Sequence, residues 1–497
     1  MTFLAHRTDT LTRDALAVLQ PGFEGTTAPA WLLRQLGEGL TSVGLFGRNI
    51  TSPEQLAALT AQLRAERDDV LVAIDEEGGD VTRLEVRDGS SFPGNLALGA
   101  VDDTGLTRDV AHELGRRLAE CGVNLNWAPS ADVNSNPDNP VIGVRSFGAD
   151  THLAARHTAA YVEGLQAAGV AACTKHFPGH GDTNVDSHHA LPRIDVDLDT
   201  LQARELVPFK AAIAAGTKAV MSAHILVPSL DPTRPATLSP QILTGLLRKE
   251  LGYEGLIVTD GMEMNAIAGT YGIERGSVLA IAAGADAICV GGGLADEATV
   301  LRLRDALVAA VREGTLPQER LADAAARVRA LAEWTRRSRT AATAPGAPQE
   351  GSAPGIGLTA ARRAVTVTGS AAPVTAPYVA TLAPVVNFAV GHETPWGIAD
   401  ELAGLVPGTA SGVYREGVAA GDILAAAGGR TVVAVVRDEH RHPWMTEAVD
   451  ALVAARPETV VVEMGLPRAD PRGALYVATH GASRVCGRAA AEVIAGV

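Results

Sequence analysis

Short apolar runs recur along the first two thirds of the chain, and each closes on a polar or small residue. They alternate with longer stretches whose apolar positions fall three and four apart, the spacing of an amphipathic helix. The runs predict strands at Ser42–Phe46, Val70–Ile74, Val123–Trp127, Val170–Thr174, Ala219–Ala223, Leu256–Val258 and Ala287–Val290. Between them the periodic stretches predict helices at Pro53–Arg67, Leu106–Glu120, His152–Ala168, Leu201–Ala215, Pro240–Leu251 and Gly276–Ala283. Strands separated by helices argue for parallel pairing with helical crossovers. Seven such strands and an irregular eighth fit a (β/α)8 TIM-type barrel better than an open sheet. Ahead of them, the chain up to about Leu40 reads as helical, from a capped start at Thr10–Leu16 to a break at Pro21-Gly22.

After a further helix at Pro317–Arg339, the stretch Thr340–Gly357 is rich in Ala, Pro, Gly and Ser, the composition of a linker. The pattern then restarts. Strands are predicted at Ala364–Thr368, Val385–Val390, Thr431–Val436, Thr459–Glu463 and Leu475–Thr479, with helices at Met445–Ala455 and Ser483–Ala495. The expected organisation is a barrel over residues 1–338, a linker over 339–358 and a smaller α/β sandwich domain over 359–497.

In the first domain the polar residues fall at strand ends. Asp75, Asn126, Lys175, His224, Asp260 and the run Gly291–Gly293 each stand at the C-terminal end of a predicted strand. One strand ending in a charge is a solvated end; several, with Gly or Pro beside them, mark the rim on which barrel enzymes assemble a site.

The densest of these ends is Lys175-His176-Phe177-Pro178-Gly179-His180-Gly181-Asp182-Thr183-Asn184-Val185-Asp186-Ser187-His188-His189. Glycines permit backbone angles other residues resist, and Pro178 fixes one dihedral and biases Phe177 toward an extended conformation. The outcome is a shaped loop offering Asp182, Asp186, His188 and His189 to a cleft. In extended chain, residues two apart point the same way. Asp186 can therefore hydrogen-bond the ring of His188, fix its tautomer and raise its basicity, as suits a general acid/base near neutral pH. Two other readings stand beside this one. The loop can be a solvated surface segment with incidental histidines, or a metal site built on His176, His180, His188 and His189. The spacing matches no zinc pattern, so no metal and no cofactor is expected.

Three further stretches add candidates. Ile74-Asp75-Glu76-Glu77-Gly78-Gly79-Asp80-Val81-Thr82-Arg83-Leu84 aims Asp75 at ligand hydroxyls and leaves Arg83 to pair with an acid or an anion. Pro129–Pro137 with Gly143–Gly148 forms a second long polar loop, in which Arg145, near Val144 and Phe147, reads as held in place. For both arginines the competing role is a structural ion pair across loops. Ile257-Val258-Thr259-Asp260-Gly261 closes a β-branched strand on one carboxylate, which makes Asp260 the candidate nucleophile. Glu263 competes, but Met262-Glu263-Met264 is expected to open the next helix and carry it off the rim.

Composition narrows the partners. The 497 residues are 46% hydrophobic, 20% charged and only 4% aromatic, so the core is aliphatic. A formal net charge of −15 disfavours nucleic acid and anionic membranes as partners. Cys121, Cys173, Cys289 and Cys486 sit in apolar contexts without close pairing, as buried reduced thiols do. Met1–Asp9 has no apolar signal region and no run reaches bilayer length, so a cytoplasmic protein is expected. The pattern does not specify an oligomeric state.

Taken together, Lys-His-Phe-Pro-Gly-His-Gly-x4-Asp-Ser-His at 175–188, Asp-x-Glu-Gly-Gly-x3-Arg at 75–83, Asn-x-Asn-Pro with Arg-Ser-Phe-Gly at 134–148, and Thr-Asp at 259–260 resemble glycoside hydrolase family 3. Within it they resemble the β-N-acetylglucosaminidases, over roughly residues 10–335. The second domain is similar to the C-terminal domain of longer members. The resemblance implies a retaining double displacement on a glycan bearing N-acetylglucosamine, a muropeptide or chitooligosaccharide. Asp260 would attack the anomeric carbon, and His188 assisted by Asp186 would be the acid/base. Asp75, Arg83, Asp132, Arg145, Lys175 and His176 would hold the sugar's hydroxyls and N-acetyl group. A histidine does not repel phosphate as a carboxylate would, so phosphorolysis with inorganic phosphate is the alternative activity. A β-glucosidase and a catalytically silent sugar-binding protein are the remaining ones. In the second domain, Arg437–Trp444 and Thr479–Arg484 each follow a strand and precede a helix. They can reach the barrel or bind an anion at a helix N-terminus, or the domain only packs.

Overall fold

Eight short strands, buried along their whole length, build the first unit. The structure, a computed structural model, describes residues 9–185, 191–342, 355–385, 390, 391 and 393–497. Its first strands are β1 (Leu19–Pro21), β2 (Ser42–Leu45), β3 (Leu71–Ile74) and β4 (Leu125–Asn126). They are followed by β5 (Ala171–Phe177), β6 (Ala219–Ser222), β7 (Leu256–Thr259) and β8 (Ile288–Val290). β2 through β7 pair with their sequence neighbours, all parallel. β8 joins β7 at the Val258–Ala287 bridge and pairs in parallel with β1. The Ser42 hydroxyl donates to the Leu19 carbonyl at 3.1 Å, linking β1 to β2 and carrying the sheet round as a TIM-type barrel.

One parity of side chains fills the inside. Leu71 and Ala73, Leu125 and Trp127, Ala171 and Cys173, Ala219 and Met221, Leu256 and Val258, and Ala287 and Cys289 form one buried cluster. The other parity, including Val72, Ile74, Ala172, Val220, Ile257 and Ile288, packs outward into the shell shared with the helices. An eight-stranded barrel leaves just enough room for side chains, which suits the small residues at several inner positions. Helix Gln318–Ala342 adds Val328, Leu331 and Ala332 to the inner cluster and receives a 3.3 Å hydrogen bond on Thr335 from Asn124, so it closes the N-terminal end. The C-terminal end is left for polar residues.

The N-terminal expectation needs correcting. Helices span Thr10–Ala17 and Ala30–Glu38, but between them lies β1, the irregular eighth strand of the barrel. Its three residues are too few to show a period, and Pro21 stands at its end, where no further ladder bond is asked of it.

The second unit is a six-stranded sheet in the order β11 (Ala410–Tyr414), β10 (Tyr378–Leu382), β12 (Val432–Val436), β13 (Val460–Glu463), β14 (Leu475–Ala478) and β9 (Thr366–Gly369). All pairs are parallel except β14–β9. Val433 and Val435 face one apolar layer, and Val432, Ala434 and Val436 face the other. A strand buried on both sides reads as an unbroken apolar run, which is why β12 is legible. The strand expected at Val385–Val390 lies instead at Tyr378–Leu382, while Val385 is exposed outside it and residues 386–389 fall outside the described residues. Helices Gln318–Ala342 and Ile356–Ala364 take up both ends of the expected linker, and 343–354 lie outside the described residues.

One buried ion cluster ties the base of the barrel. Asp286, before β8, accepts the Ile257 amide at 2.9 Å and pairs with Arg320 at 2.6 Å and with Arg248. Removing one partner of a buried pair strands the others without compensation. Asp286→Ala is expected to lower unfolding stability by about 3–5 kcal/mol in urea titrations, and a loss below about 1 kcal/mol would show that the cluster is dispensable.

Candidate active site at the barrel rim

The inward parity continues to the C-terminal ends of the strands and just beyond them. Leu71 and Ala73 are followed by Asp75, Ala171 and Cys173 by Lys175, and Leu256 and Val258 by Asp260. Three polar residues are thereby aimed over the same apolar interior. The Cys173 and Cys289 thiols beneath are pushed up chiefly by burial, and both feel the carboxylates of Asp75 and Asp260.

The rim residues form one connected chain. Arg83 lies 3.5 Å from the Asp75 carboxylate, and the Lys175 ammonium is 2.5 Å from Asp75 and 2.6 Å from Glu77. Arg145 grips Glu77, with Nε and Nη2 donating at 3.0 and 2.7 Å. The same Nη2 stands 3.4 Å from His176 Nε2, and His176 Nδ1 is 2.7 Å from Asp132. A carboxylate only accepts, so Nδ1 carries the proton and Nε2 takes the hydrogen bond from Arg145. The Lys175–His176 and Phe177–Pro178 peptide bonds are both cis.

Exposure separates the front of this chain from its back. The side chains of Asp75 and Arg83 are 19% and 14% exposed, whereas Lys175 and Glu77 are at 3% and Asp132 is at 0%. Asp132 also accepts the Ser130 hydroxyl at 2.9 Å and the His176 and His180 amides at 3.2 and 2.7 Å. Expected from the resemblance to hold the sugar, Asp132 is instead fully engaged behind His176, which it orients. Burial raises its carboxyl, but the opposing pull of His176 and His180 holds it well below the usual range.

Glu77 is the member that sequence reasoning missed. It stands two residues after Asp75, on the same side of an extended segment, and that spacing was the available signal. Burial alone would raise its carboxyl; Arg145 and Lys175 outweigh burial and hold it at about 2.

Other rim residues act as supports. The Asn126 amide receives the Glu76 N–H at 3.0 Å and donates to the Glu76 carbonyl at 2.7 Å, pinning the end of β3. The His224 ring reaches the Gly261 carbonyl at 3.0 Å and the Thr237 hydroxyl at 2.8 Å, bracing the turn after Asp260. Asp260 itself is half-buried and accepts the Gly261 amide at 2.8 Å. Contrary to expectation, Glu263 does not ride away on a helix, since that helix runs only from Asn265 to Tyr271. Its carboxylate is fixed to the amides of Gly291 and Gly292, which takes it out of contention as a nucleophile. Asp182, expected to face the cleft, is turned to Arg204 at 2.6 Å. Asp186, His188 and His189 lie outside the described residues. All four cysteines are free and buried.

A barrel closed by a helix at its base, with a charged cluster over its C-terminal rim and a second α/β unit behind, defines the class of architecture. The model of the glycosyl hydrolase family 3 N-terminal domain matches residues 27–331, and the chain belongs to that family. It is 38% identical over 312 residues to β-hexosaminidase A of Pseudoalteromonas piscicida, covering 58% of this chain and 52% of that protein. It is 36% identical over 265 residues to a β-hexosaminidase of Neisseria gonorrhoeae, covering 52% of this chain and 73% of the relative. The chain thus spans about half the length of the Pseudoalteromonas relative. A family 3 β-N-acetylglucosaminidase from Paenibacillus sp. superposes with a TM-score of 0.86 at 35% identity, over 98% of this chain and 97% of that one.

Because Glu77 titrates at about 2 in the fold against an ordinary 4.5, the network contributes stability that is complete above pH 4.5 and is lost as pH falls toward 2. Glu77→Gln is expected to flatten the decline of the urea midpoint between about pH 5 and pH 3. Equal slopes in wild type and variant would contradict this assignment.

Proposed function

We propose that the protein is an exo-acting, retaining β-N-acetylglucosaminidase that removes terminal N-acetylglucosamine from muropeptides or chitooligosaccharides. The observation that carries this reading is the convergence of Asp75, Arg83, Lys175, Arg145 and His176 in one charge network on the rim to which Asp260 is also aimed. Sugar hydroxyls and an N-acetyl group are polar, directional ligands, and charge-assisted donors and acceptors at fixed positions suit them. The β-hexosaminidase and β-N-acetylglucosaminidase relatives support the same substrate class.

In this reading the Asp75 carboxylate accepts hydroxyl protons at the open end, while Lys175 and Arg145 donate from behind it. Their mutual pairing through Glu77 keeps both cations in place before substrate arrives, so little reorganisation is needed on binding. Asp260 attacks the anomeric carbon, expels the aglycone and forms a glycosyl-enzyme with inverted configuration. His188, paired with Asp186, protonates the departing oxygen, then deprotonates the water that releases the sugar; two inversions give net retention. The dyad rests on the motif resemblance. Phosphate as the second nucleophile is the competing outcome.

Asp260→Asn is expected to reduce kcat/KM on an aryl N-acetyl-β-glucosaminide by on the order of 10⁴-fold, about 5 kcal/mol of transition-state stabilisation. Turnover in dilute methanol should yield the β-methyl glycoside, and product analysis with and without phosphate should give free sugar in both. Activity of Asp260→Asn within about tenfold of wild type would sink the nucleophile assignment, an α-glycoside product would sink retention, and sugar 1-phosphate would make the enzyme a phosphorylase.

A further inference from the structure

The C-terminal ends of the parallel strands in the second sheet meet the barrel at the rim. Arg437 follows β12, and the segment Thr479–Ala482 follows β14. Arg437 Nη2 pairs with Asp80 Oδ2 at 2.5 Å, and the Ala482 amide donates to Asp80 Oδ1 at 2.7 Å. Both side chains of the pair are buried, and the guanidinium lies 5.7 Å from the Trp396 ring centre. Two different strand ends of one unit thus hold a single carboxylate of the other.

Asp80 is not an arbitrary anchor. It sits in the turn that bridges Gly78 to Val81, and the Glu77 amide donates to the Val81 carbonyl at 3.1 Å across that turn. Burial pushes the Asp80 carboxyl up, and Arg437 and the Ala482 amide pull it back toward the charged form. Glu77, three residues earlier, carries both Arg145 and Lys175. Behind this group lies a cavity of about 10 Å³, room for one water, lined by Glu77, Asp80, Asn95, Arg145 and Gly481 among others. Gly481 comes from the second unit, and a Cβ there would stand 2.8 Å from the Pro93 carbonyl, so its backbone packs as closely as it can. The Asn95 amide donates to the Arg145 carbonyl at 2.7 Å on the far wall. The second unit also touches the loop that bears Arg145: His440 Nε2 donates to the Pro137 carbonyl at 2.9 Å.

We propose that Arg437 is a positioning residue for the sugar site, acting through Asp80 on the 77–81 turn and so on the Glu77–Arg145–Lys175 cluster. The second domain is then a brace that sets the geometry of the binding groups without touching substrate. The proposal rests on the reading of that cluster as the sugar site.

The test compares Arg437→Met, Arg437→Lys and a control, Arg363→Met, which removes a 2.9 Å exposed pair with Asp103 elsewhere between the two units. Michaelis constants are measured on an aryl N-acetyl-β-glucosaminide, and N-acetylglucosamine affinity by calorimetry, in the full chain. Arg437→Met is expected to raise KM and weaken N-acetylglucosamine binding about tenfold or more, with kcat changed less than about threefold. Arg437→Lys should recover most of the binding, and Arg363→Met should stay within about twofold of wild type. If Arg437→Met does not fold, Asp80→Asn, which keeps an acceptor for the Ala482 amide, carries the same expectation. Unchanged binding in a folded Arg437→Met or Asp80→Asn overturns the proposal, as does an equal loss in Arg363→Met. Wild type that neither hydrolyses the glycoside nor binds N-acetylglucosamine overturns the functional reading, and the brace with it.

Discussion

A carboxylate removed from water persists as a charge only against something of opposite sign, and Glu77 has two such partners. Arg145 lies in the loop after β4 and Lys175 within β5, and nothing in their own segments requires them to approach each other. Two cations drawn together in a low-dielectric setting repel, so the anion between them is what makes the arrangement possible. Its presence lets Lys175 reach forward to Asp75 and lets Arg145 lie against His176. Asp75 and His176 are thereby joined through those two cations and the carboxylate between them.

The barrel contributes direction. Because side chains alternate along a strand, a residue near or just beyond its end keeps the phase of those below it, and Asp75, Lys175 and Asp260 keep the inward phase. Apolar side chains fill the space beneath them, so these polar heads have only the open end to face. The supports then remove the remaining freedom. Asn126 ties down the Glu76 backbone, His224 braces Gly261, and Asp132 spends its acceptors on His176 and on the loop after it. The groups at the open end are few, and the groups that hold them are many.

Much of this was legible in the chain because period and phase are local properties. The strands and the rim residues at 75, 175 and 260 follow from short apolar runs and from the polar residue on which each run closes. What escaped were features set by distance along the chain or by brevity. β1 is three residues long and follows a helix with a one-residue gap, so no window contains its period. β11 alternates between exposed and half-buried positions at a sheet edge, where hydrophobic contrast is weak. The resemblance places Asp132 among the sugar-holding residues, while its enclosure depends on Ser130, His176 and His180 folding round it. The Asp80–Arg437 pair joins residues 357 positions apart, and no spacing rule reaches that far.

That pair also bears on why a second sheet accompanies the barrel at all. In an open parallel sheet the carboxyl ends of the strands are where loops gather and ligands bind. Here those ends are occupied by the barrel's own turn: Asp80 takes the place of a ligand, held by a guanidinium and a backbone amide as an anionic group would be. The second unit therefore binds a carboxylate belonging to the first, next to a cluster whose geometry depends on where that carboxylate's turn lies. A barrel rim built from long loops has many ways to relax, and the loops after β3 and β4 are both long. Anchoring each of them to the second unit, at Asp80 and at Pro137, reduces that freedom.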